Sequence, residues 1–256
     1  MKLVVIAAPG VSTDIVVNWL VDTGFAPAAI LIEPAQSRRA LLRGRLRRLG
    51  LRAVLGQLAF MALVPPMLRR QSAKRRAEII ARHGLRPDPL PETALTRVAS
   101  VNAPETASLL GDIAPDVVVL SGTRIVKPAT LAASGCPVLN IHAGITPAYR
   151  GVHGGYWALW QGQSQEFGAT LHLVDAGVDT GAVLAQCRPQ PAPADNFTTY
   201  PLLQLAAALP ALTACLEQLR EGQPPHTPAA RDAGPGCQWY HPTLGQYLAG
   251  WRRGVR

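Results

Sequence analysis

Three side chains that can move a proton or stabilise an oxyanion occur in two neighbouring segments. Asn140 and His142 alternate at the end of an apolar run, and Asp179 follows on a glycine-rich segment. Residues two apart in a strand project from the same face, so we expect the amide and the imidazole side by side. An amide donates without titrating, an imidazole exchanges protons near neutral pH, and a carboxylate can orient or charge the imidazole. These are the groups needed to move an acyl group onto an amine.

An α/β sheet is expected to position these groups. Apolar runs predict buried strands over 3–8, 28–32, 116–121 and 137–141, and an alternating pattern predicts another over 169–174, with 181–186 extending the sheet. A Gly-x-Gly-x-x-Gly sequence does not follow the first strand, so a dinucleotide is not indicated. Open α/β sheets bind ligands at the carboxyl ends of their strands, which is where Asn140 and His142 fall.

A basic segment, residues 36–85, interrupts the alternation of strands and helices, and we interpret it as a helical insertion. Between Glu33 and Glu78 the chain has twelve Lys and Arg residues and no acidic residue. The Pro65–Pro66 pair is expected to break the helical run. Such a charge excess favours nucleotide phosphate, RNA or an acidic membrane surface, and a solvated helical face is the alternative. Peripheral contact with an anionic membrane through residues 38–76 is therefore one expectation.

Composition sets further bounds. The chain has 256 residues, 48% of them hydrophobic, which is enough for one full core. Its four cysteines form no C-x-x-C pair, so we expect no metal site. The first apolar run is too short for a signal peptide, which favours a cytoplasmic protein, at most peripheral to the inner membrane face. Residues 191–256 are expected to form a helical, Pro-rich extension packed on a catalytic domain of residues 1–190, with a helix over 196–219 interrupted by Pro210.

Three separated motifs resemble those of one enzyme family. Residues 140–151, Asn-Ile-His-Ala-Gly-Ile-Thr-Pro-Ala-Tyr-Arg-Gly, are similar to the N-x-H-x-S-L-L-P-x-x-R-G signature of the folate-dependent formyltransferases. Residues 168–181 resemble the family's second signature, which ends in an essential aspartate, and residues 121–126 resemble the loop whose backbone holds the pterin ring. The resemblance covers residues 100–190 and departs from the family where Gly144-Ile145-Thr146 replaces Ser-Leu-Leu.

This resemblance implies a Rossmann-like, mostly parallel sheet of the formyltransferase type. It implies N10-formyltetrahydrofolate as cosubstrate without a metal, and catalytic roles for Asn140, His142 and Asp179. His172 matches a position near the site, where a helper role and a packing role stay open. The resemblance assigns contacts with the folate to Gly122, Arg124, Ile125, Val126, Ala176, Gly177 and Val178.

The acceptor is expected to be a primary amine, phosphorylated or nucleotide-linked. The segment 152–157 resembles sugar N-formyltransferases more than purine-pathway enzymes, and the tail shows no strand pattern of the tRNA-enzyme barrel. We therefore predict an amino sugar and disfavour nucleic acid, with methionyl-tRNA and glycinamide ribonucleotide as alternatives. A homodimer stays open, and so does an inactive relative that binds anions or membranes. The residues expected to contact the acceptor are Gly10, Ser12, Thr146, Arg150, His153, Tyr156 and Trp157. Gly10 and Ser12 lie at the N-terminus of a predicted helix, which could bind a phosphate.

Overall fold

The computed structural model describes residues 1–225 and 236–256 of the protein. Within them the strands are β1 (Leu3–Ala7), β2 (Ala29–Ile32), β3 (Leu95–Arg97), β4 (Val117–Ser121), β5 (Val138–His142), β6 (Tyr149–Gly151), β7 (Ala169–Leu173), β8 (Val183–Cys187) and β9 (Cys237–Trp239). The helices are α1 (Val11–Asp22), α2 (Arg38–Leu49), α3 (Leu51–Gln71), α4 (Ala73–Arg82), α5 (Pro104–Ile113), α6 (Pro128–Ser134), α7 (Gly154–Trp160), α8 (Tyr200–Arg220) and α9 (Leu244–Arg252).

Seven strands form the main sheet, in the order β3-β2-β1-β4-β5-β7-β8. The first five are mutually parallel. Strand β7 runs antiparallel to β5, and β8 runs antiparallel to β7 and so in the same direction as the first five. Every residue of β1 and β4 is buried, as expected for central parallel strands that are covered on both faces. The order reverses between β1 and β4, so a crevice is expected at the carboxyl ends of these strands. The mostly parallel α/β fold predicted from the sequence is confirmed.

Helices cover both faces of this sheet. Apolar side chains of α1 and α8 close one face, and those of α5 and α6 close the other. The helix α8 begins beyond residue 190 yet lies in the core, where the Trp19 indole N–H of α1 donates to the Thr213 hydroxyl at 2.9 Å. A domain boundary near residue 190 stays a prediction.

Two expectations about proline are wrong. The helix α3 continues through Pro65 and Pro66, and α8 continues through Pro210. A proline inside a helix removes one backbone hydrogen bond and crowds the preceding turn. In both helices buried side chains on either side of the proline pack into the core, and this packing holds the two halves in line.

The tail also contains a strand that the sequence did not indicate. The three residues of β9 pair in parallel with β6, so that Tyr149 lies opposite Cys237 and Gly151 opposite Trp239. A strand of three residues is too short to show an alternating pattern. This pairing brings the tail against the segment that follows Asn140 and His142.

Candidate active site

Asn140, His142 and Asp179 converge at the carboxyl end of β5. The carboxylate Oδ2 of Asp179 lies 3.3 Å from His142 Nδ1 and accepts a hydrogen bond from the Gly151 backbone N–H at 2.9 Å. Asp179 itself lies on the turn between β7 and β8 with a φ of 52°. A non-glycine residue with this backbone is uncommon and is held here by the contacts of its carboxylate. The structure thus brings together the three groups singled out in the sequence.

The ring of His142 is held between two acceptors. Its Nε2 lies 2.7 Å from the Tyr149 carbonyl oxygen, and because a carbonyl can only accept, Nε2 carries a proton. The other ring nitrogen, Nδ1, faces the Asp179 carboxylate at 3.3 Å. A side chain at Gly144 would collide with the Tyr149 carbonyl and with His142 Nε2, so a glycine is needed at this position. The imidazole can exchange its Nδ1 proton without turning.

His172 orients the amide of Asn140. The register of β5 and β7 places these two residues directly opposite each other. His172 Nδ1 donates to the Leu173 carbonyl at 2.7 Å, so in the neutral ring Nε2 accepts from the Asn140 amide nitrogen at 3.1 Å. Burial lowers the pKa of His172, although Leu173 and Asp179 oppose the effect, and this favours the neutral ring. One amide N–H of Asn140 is used by His172, and the other is free to donate to a reacting oxygen.

These groups open into a cavity of about 720 Å³. The ends of β4 and β5 form its floor, and the segments 122–126 and 174–179 form two of its sides. Two further walls were not anticipated from the sequence. One wall comes from the basic insertion and consists of Gln36, Leu41, Gly44, Arg45 and Arg48. The other comes from the residues at and after β9 and consists of Gln238, Trp239, Tyr240 and His241.

A buried carboxylate fixes the 122–126 segment. Glu33, at the end of β2, is 1% exposed. Its Oε1 accepts from the Arg124 backbone N–H at 2.7 Å, and its Oε2 accepts from the Val101 N–H at 2.9 Å and lies 2.7 Å from Arg124 Nε. A buried carboxylate is stable when all of its oxygens are matched in this way. The loop therefore has a defined shape before any ligand binds.

The residues expected to contact the folate lie at the cavity with one exception. The lining includes Gly122, Arg124, Ile125, Val126, Gly177 and Val178, whereas Ala176 is outside it. The residues expected to contact the acceptor are elsewhere. Thr146 is buried and its N–H donates to Thr170, and Arg150 donates to the Gly236 carbonyl. Gly10 and Ser12 are exposed at the start of α1, outside the cavity lining.

Tyr156 and Trp157, which were expected to contact the acceptor, do not line the cavity. Both are buried in an aromatic cluster with Phe60 and Phe197. Trp157 stacks on Trp239 at 4.7 Å between ring centroids, and it is Trp239 that lines the cavity. The run Gln238-Trp239-Tyr240-His241 carries aromatic side chains in a chain that has few, and this composition was the available signal.

His153 lies behind the cavity wall and supports His241. The two rings are joined by a hydrogen bond of 3.0 Å between Nε2 of His153 and Nδ1 of His241. Burial lowers the pKa of His153 to about 3 and that of His241 to about 4, and the Arg45 charge adds to both shifts. Two neutral rings form this hydrogen bond, one as donor and one as acceptor. His153 is thus a support for the cavity wall, not part of its lining.

The formyl transferase family matches residues 68–201, just over half of the chain. The methionyl-tRNA formyltransferase of Chlorobium luteolum is 33% identical over 54% of this chain and 45% of its own length. The phosphoribosylglycinamide formyltransferase of Mycobacterium tuberculosis is 48% identical over 31% of this chain and 35% of its own length. The chain therefore spans less than half the length of either of these relatives.

Solved structures share the fold at low identity. A sugar N-formyltransferase from Shewanella sp. superimposes with a TM-score of 0.58 over 98% of this chain and 87% of its own, at 14% identity. Glycinamide ribonucleotide transformylase 1 from Symbiobacterium toebii gives 0.55 over 87% of this chain and 89% of its own, at 20% identity. With the family match over residues 68–201 and the sheet order described above, the chain belongs to the formyl transferase family.

Proposed function

We propose that this protein transfers a formyl group from N10-formyltetrahydrofolate to a primary amine, with Asn140, His142 and Asp179 acting on the formyl carbon. The observation that carries the proposal is the convergence of these three side chains on one cavity. An amide donor, an imidazole and a carboxylate supply the three tasks of acyl transfer, which are to stabilise an oxyanion, to hold the geometry and to move a proton.

The cavity suits a flat, polar-edged donor. Apolar side chains of Leu120, Val126, Val174 and Val178 face it from the strand ends and from both loops. Glu33 holds one of those loops rigid. A volume of about 720 Å³ lies within the range of small-molecule sites, which combine apolar walls with few polar groups. The bound donor would supply a formyl carbon attached to a nitrogen leaving group.

The side chains support the following sequence. The acceptor amine attacks the formyl carbon, and the developing oxyanion accepts from the free N–H of Asn140 and from Nδ1 of His142 in its protonated form. Asp179 stabilises that protonated ring and takes the proton released by the amine, directly or through a water. The oxyanion then reforms the carbonyl of the new formamide, and the bond between the carbon and the donor nitrogen breaks as Asp179 passes that proton to the leaving nitrogen, directly or through a water. His172 keeps the amide of Asn140 turned toward the reacting oxygen.

The acceptor proposed is a nucleotide-linked amino sugar. Arg45 and Arg48 of α2 face the cavity, and among the described residues neither forms an ion pair with a carboxylate. Guanidinium groups bind phosphate oxygens in a bidentate manner, which suits a phosphate or diphosphate. Trp239 and Tyr240 offer aromatic surfaces on which a base or a sugar can stack.

An assay of tetrahydrofolate release tests this function. The purified protein is given N10-formyltetrahydrofolate with amino-sugar nucleotides, glycinamide ribonucleotide or methionyl-tRNA in turn. We expect turnover with an amino-sugar nucleotide, abolished by Asp179→Asn and unchanged by Asp112→Asn, a variant of an exposed carboxylate on α5. Turnover with only one of the other two acceptors would replace the proposed substrate. Failure with all acceptors, with the folate still bound, would favour the inactive binding relative.

A further inference from the structure

The helix α3 is apolar on nearly all sides, although the fold buries only one of them. Its inner face carries Val54, Phe60, Val64 and Leu68, each at most 5% exposed. Its outer face carries Leu51, Leu55, Leu58 and Leu63, which are 63%, 56%, 43% and 61% exposed. The first three of these leucines are spaced i, i+4, i+7 and therefore form one stripe along the helix.

A surface helix that meets water normally places polar residues opposite its buried face. Here the opposite face consists of leucines, with exposed Ala62 and Pro66 continuing the stripe. Exposed apolar patches of this kind mark contact with a protein or a membrane. The outer face of α3 therefore has the composition of a contact surface.

The charges around this stripe identify the environment. Exposed basic side chains flank this stripe in the sequence, from α2 and the first turn of α3 before it to the last turn of α3 and α4 after it: Arg39, Arg43, Arg47, Arg52, Arg69, Arg70 and Lys74. Residues 34–77 contain no Asp or Glu. An apolar face flanked by Lys and Arg is the composition of a helix that lies in an anionic membrane surface. A second copy seated face to face would instead bring like charges together.

The buried inner face argues against α3 crossing a membrane. Among the described residues, α3 and α8 are long and apolar enough to span a bilayer, with mean hydropathies of 1.5 and 1.4. The α8 window is 50% buried and belongs to the core, whereas the α3 window is 28% buried. The Phe60 ring packs on Phe197 at 4.9 Å, and the Gln57 amide donates to the His241 carbonyl at 2.8 Å. These contacts hold one side of α3 in the protein.

We propose that the outer face of α3 docks on an anionic lipid membrane, with Leu51, Leu55, Leu58 and Leu63 among the acyl chains. The arginines at the two ends of the helix then lie at the level of the lipid headgroups. This surface is separate from Asn140, His142 and Asp179, so docking does not depend on formyl transfer.

Vesicle co-sedimentation tests the proposal. Vesicles of equimolar phosphatidylglycerol and phosphatidylcholine are compared with vesicles of phosphatidylcholine alone, at low and high salt. We expect binding to the anionic vesicles that weakens steeply with salt. The Leu55→Glu/Leu58→Glu variant should bind more than about tenfold more weakly, because two inserted leucines become charged. Val11→Glu/Val21→Glu, at two valines that are 46% and 47% exposed on α1, adds the same two charges, is the matched control and should bind as the wild type does.

Several results would overturn the docking proposal. Undiminished binding of the double variant, with its folding checked by circular dichroism, would exclude the α3 face. The proposal would also fail if the wild type did not bind anionic vesicles and formed a dimer in sedimentation equilibrium that the double variant did not form. It would fail as well if the wild type did not bind anionic vesicles and both the wild type and the double variant bound RNA equally. Asn140→Ala should sediment with vesicles as the wild type does, so failure of docking and failure of the proposed catalysis are distinguishable.

Discussion

The end of β5 and the basic insertion are organised in opposite ways. At the end of β5 the polar side chains are buried or half-buried, and each is fixed by protein partners: His142 by Tyr149 and Asp179, and Asn140 by His172. In the insertion most of the charged side chains are exposed, and so are several leucines of α3. The first region is held by partners within the fold, whereas the second leaves basic and apolar side chains exposed, and we propose external partners for it.

The two regions meet at the cavity. Helix α2 of the insertion supplies Arg45 and Arg48 to a wall whose floor is the end of β5. Chemistry is thus proposed for the rigid side, and recognition of anions for the insertion side. Variants that separate these two roles test the comparison directly.

The largest effect is expected from Asn140→Ala. The variant removes the N–H that would stabilise the oxyanion, and loss of one such donor lowers kcat by about 100- to 1000-fold. Initial rates under single-turnover conditions measure the change. The overall fold should survive, because the side chain contacts the cavity and His172 and fills no large space in the core.

His172 provides the control for this prediction. His172→Gln keeps an acceptor for the amide, whereas His172→Ala does not, so the glutamine variant should retain more activity than the alanine variant. Equal activities would show that His172 only fills space. If Asn140→Ala turned over at the wild-type rate, Asn140 would not be the donor that stabilises the oxyanion.

The contrast between the regions also explains what the sequence could predict. The buried strands stand out as continuous apolar runs, and the alternation of Asn140 and His142 follows from the two-residue period of a strand. The proximity of Asp179 to His142 was expected from the motifs, and the structure shows it. Local periodicity and local motifs are sufficient for this part of the molecule.

Other features depend on contacts that no local pattern encodes. Glu33 holds a loop 91 residues away in sequence, since it accepts from the Arg124 backbone N–H. Trp239 reaches the cavity because three residues of β9 pair with β6. Pro65 lies within a helix because side chains on both sides of it pack into the core. Each of these depends on tertiary packing, which overrides local propensity.

The next largest effect concerns how the insertion is attached. Arg75 of α4 forms a bidentate ion pair with Asp195, at 2.8 and 2.9 Å, and the Asp195 side chain is fully buried. Removing Asp195 takes two charge-assisted hydrogen bonds from Arg75, which keeps only the exposed Glu78 at 3.6 Å, and this loss costs about 3 kcal/mol. We expect Asp195→Ala to lower the free energy of unfolding by about this amount in urea, while Arg82→Ala, on an exposed side chain of the same helix, changes it little.

The same measurement checks whether the insertion and the sheet unfold together. A single transition shifted as a whole means that the ion pair is coupled to the entire fold. An unchanged transition in Asp195→Ala would contradict the proposed attachment of α4.

A smaller effect is expected from pH, and it arises at the cavity wall. The pKa of His153 is lowered to about 3 and that of His241 to about 4, whereas an unfolded histidine titrates near 6.5. Below pH 6.5 the unfolded chain therefore binds protons that the folded chain does not, so stability falls as the pH falls. Between pH 7 and pH 5 one such histidine lowers the free energy of unfolding by about 2 kcal/mol.

Urea titrations at the two pH values measure this loss. His241→Asn removes one of these groups and should flatten the pH dependence, whereas His83→Asn, at the exposed histidine that follows α4 in the insertion, should leave it unchanged. Equal stability at pH 7 and pH 5 in the wild type would show that the pair accepts a proton in the folded state.

The smallest effect concerns the wall that the insertion contributes. Arg45→Gln removes a guanidinium that faces the cavity. A hydrogen bond to a charged group contributes about 1.5 kcal/mol. Loss of one such bond to a phosphorylated acceptor should therefore raise KM about tenfold. The value of kcat should stay unchanged, because Arg45 is assigned to binding. Arg47→Gln carries the same substitution at an exposed site outside the cavity lining. If both variants raise KM equally, the effect is one of overall charge, and the α2 wall does not bind the acceptor. If Arg45→Gln instead lowers kcat alone, the insertion acts in the chemical step. The division of roles between the two regions would then be wrong.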